Sequence, residues 1–82
     1  MASGLQELLE GIGLTRQEAR TYIALHELKE SKAGEISKKS GIATANLYPV
    51  LDTLIKKGLV SFKLLNNIKV FYPVSIEAFN EL

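Results

Sequence analysis

The sequence predicts a mainly α-helical fold closed by a small β-hairpin, and three observations predict it. Apolar residues recur at helical spacing from Leu5 to Ile55, and the pattern turns to strand-like alternation at Leu59. Glycine or asparagine stands near most changes of element. Three to four helices, the hairpin and the start of a C-terminal helix fit one domain spanning residues 1–82.

Leu5, Leu8, Leu9 and Ile12 form the first apolar stripe, and Gly13 can take the left-handed conformation that ends a helix. Thr15 with Glu18 reads as a capping box, in which the threonine oxygen accepts a free amide and the glutamate reaches back. The helix it opens runs to about Lys29 with Ala19, Tyr22, Ile23 and Leu28 inward. A short helix follows from Ala33 to Ser40, anchored by Ile36 and stopped by Gly41. Lys32 stands where a serine or threonine cap is expected, so Ser31 is the candidate cap, one residue early. The next helix runs from Thr44 to Lys57 on Leu47, Val50, Leu51, Leu54 and Ile55, with Lys56 and Lys57 at its negative end and Gly58 as its stop. Pro49 is tolerated cheaply there if the helix starts no earlier than Asn46.

Leu59–Leu64 alternates apolar and polar residues, Lys69–Tyr72 is rich in β-formers, and Asn66-Asn67 between them suits a tight turn with positive φ. Pro73 ends the hairpin. Ser75-Ile76-Glu77-Ala78-Phe79 begins a further helix, cut off at Leu82, with a single cap rather than a full box.

Composition narrows the function classes. The 46% hydrophobic and 23% charged fractions are those of a soluble globular domain, and with no cysteine its core must be held by packing. The absence of cysteine fits a reducing cytoplasm, the expected location. No apolar run approaches the roughly 20 residues of a bilayer span, and residues 1–12 lack the basic start of a secretory signal. An enzyme is not expected. His26 is the single histidine, placed mid-helix as a surface or half-buried side chain, and no thiolate can join it on a metal. Gly11-Ile12-Gly13 lacks the preceding strand and third glycine of a nucleotide loop. No cofactor is implied.

The net charge of +1 hides an asymmetry: Ser31–Pro73 holds seven lysines against two acids, while the flanks are acidic. A basic middle suits a polyanion. The same segment meets the demands of a helix-turn-helix: a short bracing helix on Ile36, Gly41 for the left-handed turn and Ile42 to plug the corner. A second helix then begins with the short side chains Thr44, Ala45 and Asn46.

With those pieces in view, the sequence resembles the TrmB-type winged helix-turn-helix regulators, known mostly from archaea and related in shape to the MarR group. The resemblance runs from Leu14 to about Phe79. Its matching pieces are Gly13-Leu14-Thr15 with Glu18-Ala19 and Tyr22, Glu35-Ile36 with Ser40-Gly41-Ile42, and Leu47-Tyr48-Pro49-Val50-Leu51. Lys56-Lys57-Gly58-Leu59-Val60 and Phe71-Tyr72-Pro73-Val74 complete it. It implies double-stranded DNA as partner, bound by a homodimer for transcription regulation. Thr44, Ala45, Asn46, Tyr48 and Pro49 would face the major groove. Ser40, Lys32 and Ala33 would meet phosphates, joined by Lys38 and Lys39 on the bracing helix. Lys63, Asn66, Asn67 and Lys69 would form the wing, over residues 60–73. The reading helix carries no arginine for guanine, so base choice rests on Asn46 toward adenine and on methyl contacts from Thr44 and Ala45. Four or five lysine contacts per protomer imply a salt slope near −4.

Several residues keep a plainer reading. Tyr48 fits a phosphate donor or a packing ring, Tyr22 fits the core, Lys56 and Lys57 fit a solvated helix end or a DNA contact equally, and Asn66-Asn67 can simply make the turn. The competing function is a winged-helix protein-interaction module, since one fold serves both. For dimerisation, the first helix and the one from Ser75 have leucines to spare, and two reading helices about 34 Å apart would enter successive major grooves. In proteins of the resembled type a following domain often senses sugars and would begin where these 82 residues end; a small-molecule effector is not identified by the sequence.

Overall fold

The computed structural model describes residues 4–74. Its order is α1 (Gly4–Gly11), α2 (Arg16–Leu28), α3 (Ala33–Ser40), α4 (Thr44–Lys56), β1 (Val60–Leu65) and β2 (Ile68–Pro73). The elements follow the expected order. The helix expected from Ser75 lies outside the described residues.

The capping box at α2 forms in both directions: the Glu18 amide donates to Thr15 Oγ1 at 3.1 Å, and the Thr15 amide donates to Glu18 Oε1 at 3.0 Å. Two of the four amides that a helix start leaves without intrahelical partners are thereby engaged in one reciprocal pair. The start of α3 differs from expectation. Ser31 does not cap it; its hydroxyl donates to the Lys32 carbonyl, and Lys32 itself supplies no side-chain cap. The Ser31 backbone exchanges hydrogen bonds of 2.9 and 2.8 Å with Phe71. That bridge adds a short third rung to the β1–β2 pair and fastens the α2–α3 connection to the hairpin.

The turn between α3 and α4 is made as anticipated. Gly41 takes φ 76°, left-handed, and Ile42 is buried behind it. A side chain at position 41 would meet the Arg20 guanidinium at 2.7 Å. Arg20 is held there because it donates to the Ser40 carbonyl, so a cation of α2 fixes the corner of the motif.

Leu47, Leu51 and Leu54 of α4 are fully buried against Leu25, Ile36 and Val60, and burying each such side chain is worth about 1.5–3 kcal/mol. Pro49 lies well inside α4, which begins at Thr44 rather than at Asn46 or later. The condition for a cheap proline is therefore not met. The ring removes the amide that would serve the Ala45 carbonyl, and the cost is moderated because Ala45 and Pro49 both face solvent.

In the hairpin Leu65 pairs with Ile68, and Asn66 and Asn67 take φ 53° and 66° between them. Positive φ at both central residues is what a two-residue turn needs to match strand twist, and asparagine tolerates it. The alternation of β1 does not translate into alternating burial: Val60 is buried, but Phe62 and Leu64 on the same face are 37% and 59% exposed. The hairpin outruns the helices that cover its base.

Candidate nucleic-acid interface

α4 has two sides at its start. Leu47 and Val50 point inward, while Thr44, Ala45, Asn46, Tyr48 and Pro49 are all exposed. This sorting follows from helical period: with Leu47, Leu51 and Leu54 fixed in the core, the residues between them turn outward. The exposed set carries no charged side chain.

Beside it lies a cleft of about 350 Å³ between the start of α3, the first turns of α4 and the wing. Lys32, Ala33, Gly34, Tyr48, Asn67, Ile68, Lys69 and Phe71 line it. Five sequence-predicted residues thus meet in one place: Lys32, Ala33, Tyr48, Asn67 and Lys69. No carboxylate is among the lining residues, and neither Lys32 nor Lys69 forms an ion pair among the described residues. The uncapped first amides of α3 add partial positive charge at the same spot. Tyr48, 49% exposed on the rim, is presented to solvent rather than packed as a core ring.

Other expected contacts are placed differently. Ser40 is buried, accepts from the Ile42 amide at 3.2 Å and contacts the Ser37 carbonyl at 3.4 Å; its hydroxyl serves the turn and does not face outward. Ala33 is buried as well, its methyl group part of the core, so its side chain does not face a ligand. Lys38 stands 3.9 Å from Glu35, Lys39 3.7 Å from Glu27 and Lys63 3.2 Å from Glu30. Glu35 lies one turn before Lys38 on α3 itself, whereas Lys39 and Lys63 meet Glu27 of α2 and Glu30 just beyond its end. The last two pairs join separate segments, and position in sequence gives no sign of them. Lys63 lies in a different groove from the cleft, with His26, Lys29, Glu30, Tyr72 and Pro73. Asn66, at the turn, is exposed.

Lys57 is not a solvated helix end. Its ammonium donates to Glu18 Oε1 at 2.9 Å, and the Glu18 side chain is only 9% exposed. Burial pushes that carboxyl up, but the lysine and the Thr15 amide outweigh it and hold Glu18 below the ordinary carboxylate value. Tyr22 is in the core as expected, and burial raises its hydroxyl pKa. His26 is exposed, its ring stacked on Tyr22 with centroids 6.4 Å apart.

Sequence reasoning missed the aliphatic tip of the wing. Leu64, Leu65 and Ile68 are 59%, 50% and 46% exposed. The signal is three aliphatic residues bracketing the Asn66-Asn67 turn. No helix among the described residues is long and apolar enough to cross a membrane.

Comparison with known proteins places this geometry. The profile of the family described as sugar-specific transcriptional regulator TrmB matches residues 9–77. An HTH-type sugar sensing transcriptional regulator, TrmBL1 of Pyrococcus furiosus, is 42% identical over 52 residues, covering 63% of this chain and 15% of the relative. The uncharacterized protein YrhO of Bacillus subtilis is 28% identical over 58 residues, covering 71% of this chain and 21% of its own. The chain thus spans a small part of the length of these relatives. Among solved structures, TrmBL2, described as an archaeal chromatin protein with a novel mode of DNA binding, superposes with a TM-score of 0.80 at 28% identity. That match covers 94% of this chain and 30% of TrmBL2. The oxidized form of MarR from E. coli gives 0.74 at 20% identity over 92% of this chain and 55% of that one, a likeness of fold alone.

Proposed function

The chain belongs to the TrmB family of transcriptional regulators, and from that premise we propose that it binds double-stranded DNA sequence-specifically, with the first turns of α4 in the major groove. The observation that carries this reading is the division of α4: Leu47, Val50, Leu51 and Leu54 lock it from behind, leaving Thr44, Ala45, Asn46, Tyr48 and Pro49 outward. The short side chains of Thr44, Ala45 and Asn46 let the helix approach base edges closely. Asn46 is the discriminating residue, through a paired contact to adenine, with thymine methyl contacts from Thr44 and Ala45.

Lys32, Lys69, Tyr48 and the first amides of α3 hold the phosphate strand that crosses the cleft, and Asn66 and Asn67 lie over the neighbouring backbone. Lys38, Lys39 and Lys63 are secondary contacts, because each carries an acid beside it into any phosphate field. The protein acts as a homodimer on a two-fold site. α1 supports this with Leu8 and Ile12 at 69% and 73% exposure, an apolar edge for a second copy. Two reading helices about 34 Å apart would then enter successive major grooves.

The pairing of four lysines with acids favours one other reading, a winged helix that binds protein and not DNA. Selection of bound duplexes from a random pool, followed by gel shifts at rising salt, separates the two. A regulator enriches a two-fold site and loses affinity as salt rises. An interaction module enriches nothing.

A further inference from the structure

We propose that the aliphatic tip of the wing, Leu64, Leu65 and Ile68, is a wedge that enters the DNA minor groove and opens a base step there. The inference rests on the DNA-binding reading above and adds to it a mode of recognition that the reading helix does not supply.

Three observations lead to it. First, the tip is apolar on both faces: Leu64 lies on the side that carries Phe62, and Leu65 and Ile68 lie on the other, all about half exposed or more. A wing that only brushed phosphates would gain nothing from three aliphatic side chains at its end. Second, the tip is rigid in form. A two-residue turn with both asparagines left-handed closes the Leu65–Ile68 pair, and the strands leave the body as a fully paired ladder from Val60 to Leu65. From Phe62 to Leu65 that ladder reaches roughly 10 Å. Third, its electrostatic setting fits a polyanion. Lys69, opposite Leu64, is held 4.6 Å above the Phe62 ring, and together with Lys32 it borders the cleft that separates the wing from Tyr48. A cleft with two cations that have no acid partner among the described residues suits one phosphate strand. With α4 on one side of that strand, in the major groove, the wing on the other side meets the minor groove.

Leucine and isoleucine are among the side chains that proteins insert between base pairs, partly unstacking them and bending the duplex. The steps that yield most readily are pyrimidine–purine steps such as TA and CA/TG, while A-tracts resist. The wedge would thus select sequence through deformability at a position where no polar group reads a base. That suits a chain whose reading helix has no arginine.

The test compares the unaltered chain with Leu65→Ser and Ile68→Ser on duplexes in which one TA step is moved through an otherwise stiff site. Bend is read by fluorescence transfer between the duplex ends, and affinity by gel shift. Both positions are exposed, and thermal melts should show the variants folded like the parent. The unaltered chain is expected to bend the duplex by about 20–90° and to prefer, several-fold, one placement of the TA step. The serine variants should bind with the bend and the preference lost. Straight DNA under the unaltered chain, or an undiminished bend with either variant, overturns the wedge while leaving DNA binding intact. If sedimentation shows that the variants dissociate a dimer with bending unchanged, the tip is a protein contact and the wedge is overturned. If no duplex binds at all, the DNA reading itself falls, and the wedge with it.

Discussion

The Lys57 ammonium stands 2.9 Å from Oε1 of Glu18, and through that contact the end of the reading helix is tied to the first turn of α2. The same carboxylate oxygen accepts the Thr15 amide, so one atom serves the capping box and the ion pair together. Two elements far apart in sequence are thereby set relative to one another at the base of the motif.

This arrangement makes stability depend on acid in a predictable direction. Glu18 is held below the ordinary carboxylate value when folded, so the unfolded chain takes up its proton first as pH falls. Its contribution is complete above the ordinary value and is lost as pH drops through the folded one. Glu18→Gln keeps an oxygen for Thr15 but leaves Lys57 without its counter-charge. Because Lys57 is 38% exposed and can turn to water, the expected loss at pH 7 is about 1–2 kcal/mol, short of a fully buried pair. Urea titrations from pH 7 to pH 3 should show the gap between parent and variant closing in the acid range. A gap independent of pH would place the stabilisation in the cap alone.

Thr21 gives an opposite expectation. Its hydroxyl is buried in α2 with no hydrogen-bond partner among the described residues, which costs the desolvation of a polar group with no return. Thr21→Val keeps the shape and removes the orphan, so stability should rise by about 1 kcal/mol. A drop in the thermal midpoint of the variant would mean that the oxygen does have a partner in solution.

Gly41 is needed for two separate reasons. Its φ of 76° strains any side chain, and a Cβ would also meet the Arg20 guanidinium that holds the Ser40 carbonyl. The guanidinium can swing aside, but only by giving up that bond. Gly41→Ala should therefore cost about 1–3 kcal/mol in chemical denaturation. If Arg20→Ala abolished most of that cost, the clash and not the backbone would dominate.

Salt dependence reports how many lysines touch phosphate. The expectation of four or five contacts, and a slope near −4, counted lysines without their neighbours. With Lys38, Lys39 and Lys63 each beside a glutamate, the cleft leaves Lys32 and Lys69, and the slope should be about −2 per protomer. Glu30→Gln releases Lys63 and should both tighten binding and steepen the slope by about one. Gel shifts between 50 and 200 mM salt check both on the scale over which such slopes are read. An unchanged slope in that variant would mean Lys63 never reaches the backbone.

What was legible in the sequence was whatever local pattern determines. Leu47, Val50, Leu51 and Leu54 gave the inward stripe of α4, Thr15 and Glu18 gave a complete cap, and Asn66-Asn67 gave the turn, because each signal lies within a few residues. The contacts between distant segments were not legible. Ser31 looks like a cap by position and instead pairs with Phe71, forty residues on. Ser40 looks like a phosphate donor and is folded into its own turn. Lys63 looks free until Glu30 is brought beside it. Ion pairs and edge pairings of this kind depend on the assembled fold, and periodicity carries no record of them.

The division of labour on the interface can be separated by two substitutions. Asn46 is exposed in the first turn of α4, its backbone amide bonded to Ala43 at 2.9 Å, so its side chain projects from a fixed base. Lys69 sits across the cleft on the wing and faces no acid among the described residues. A contact to a base edge discriminates between base pairs, whereas a contact to phosphate does not. Asn46→Ala should therefore relax preference at one base pair by about 1–3 kcal/mol while leaving non-specific binding near its original strength. Lys69→Ala should weaken all sequences alike and flatten the salt slope by about one. Alanine is compatible with a first-turn helical position and with an exposed strand, so neither change should disturb the fold. Profiling both variants against one duplex library makes the comparison direct. If their profiles coincide, differing only in overall strength, Asn46 is another backbone contact and base choice lies elsewhere on the protein.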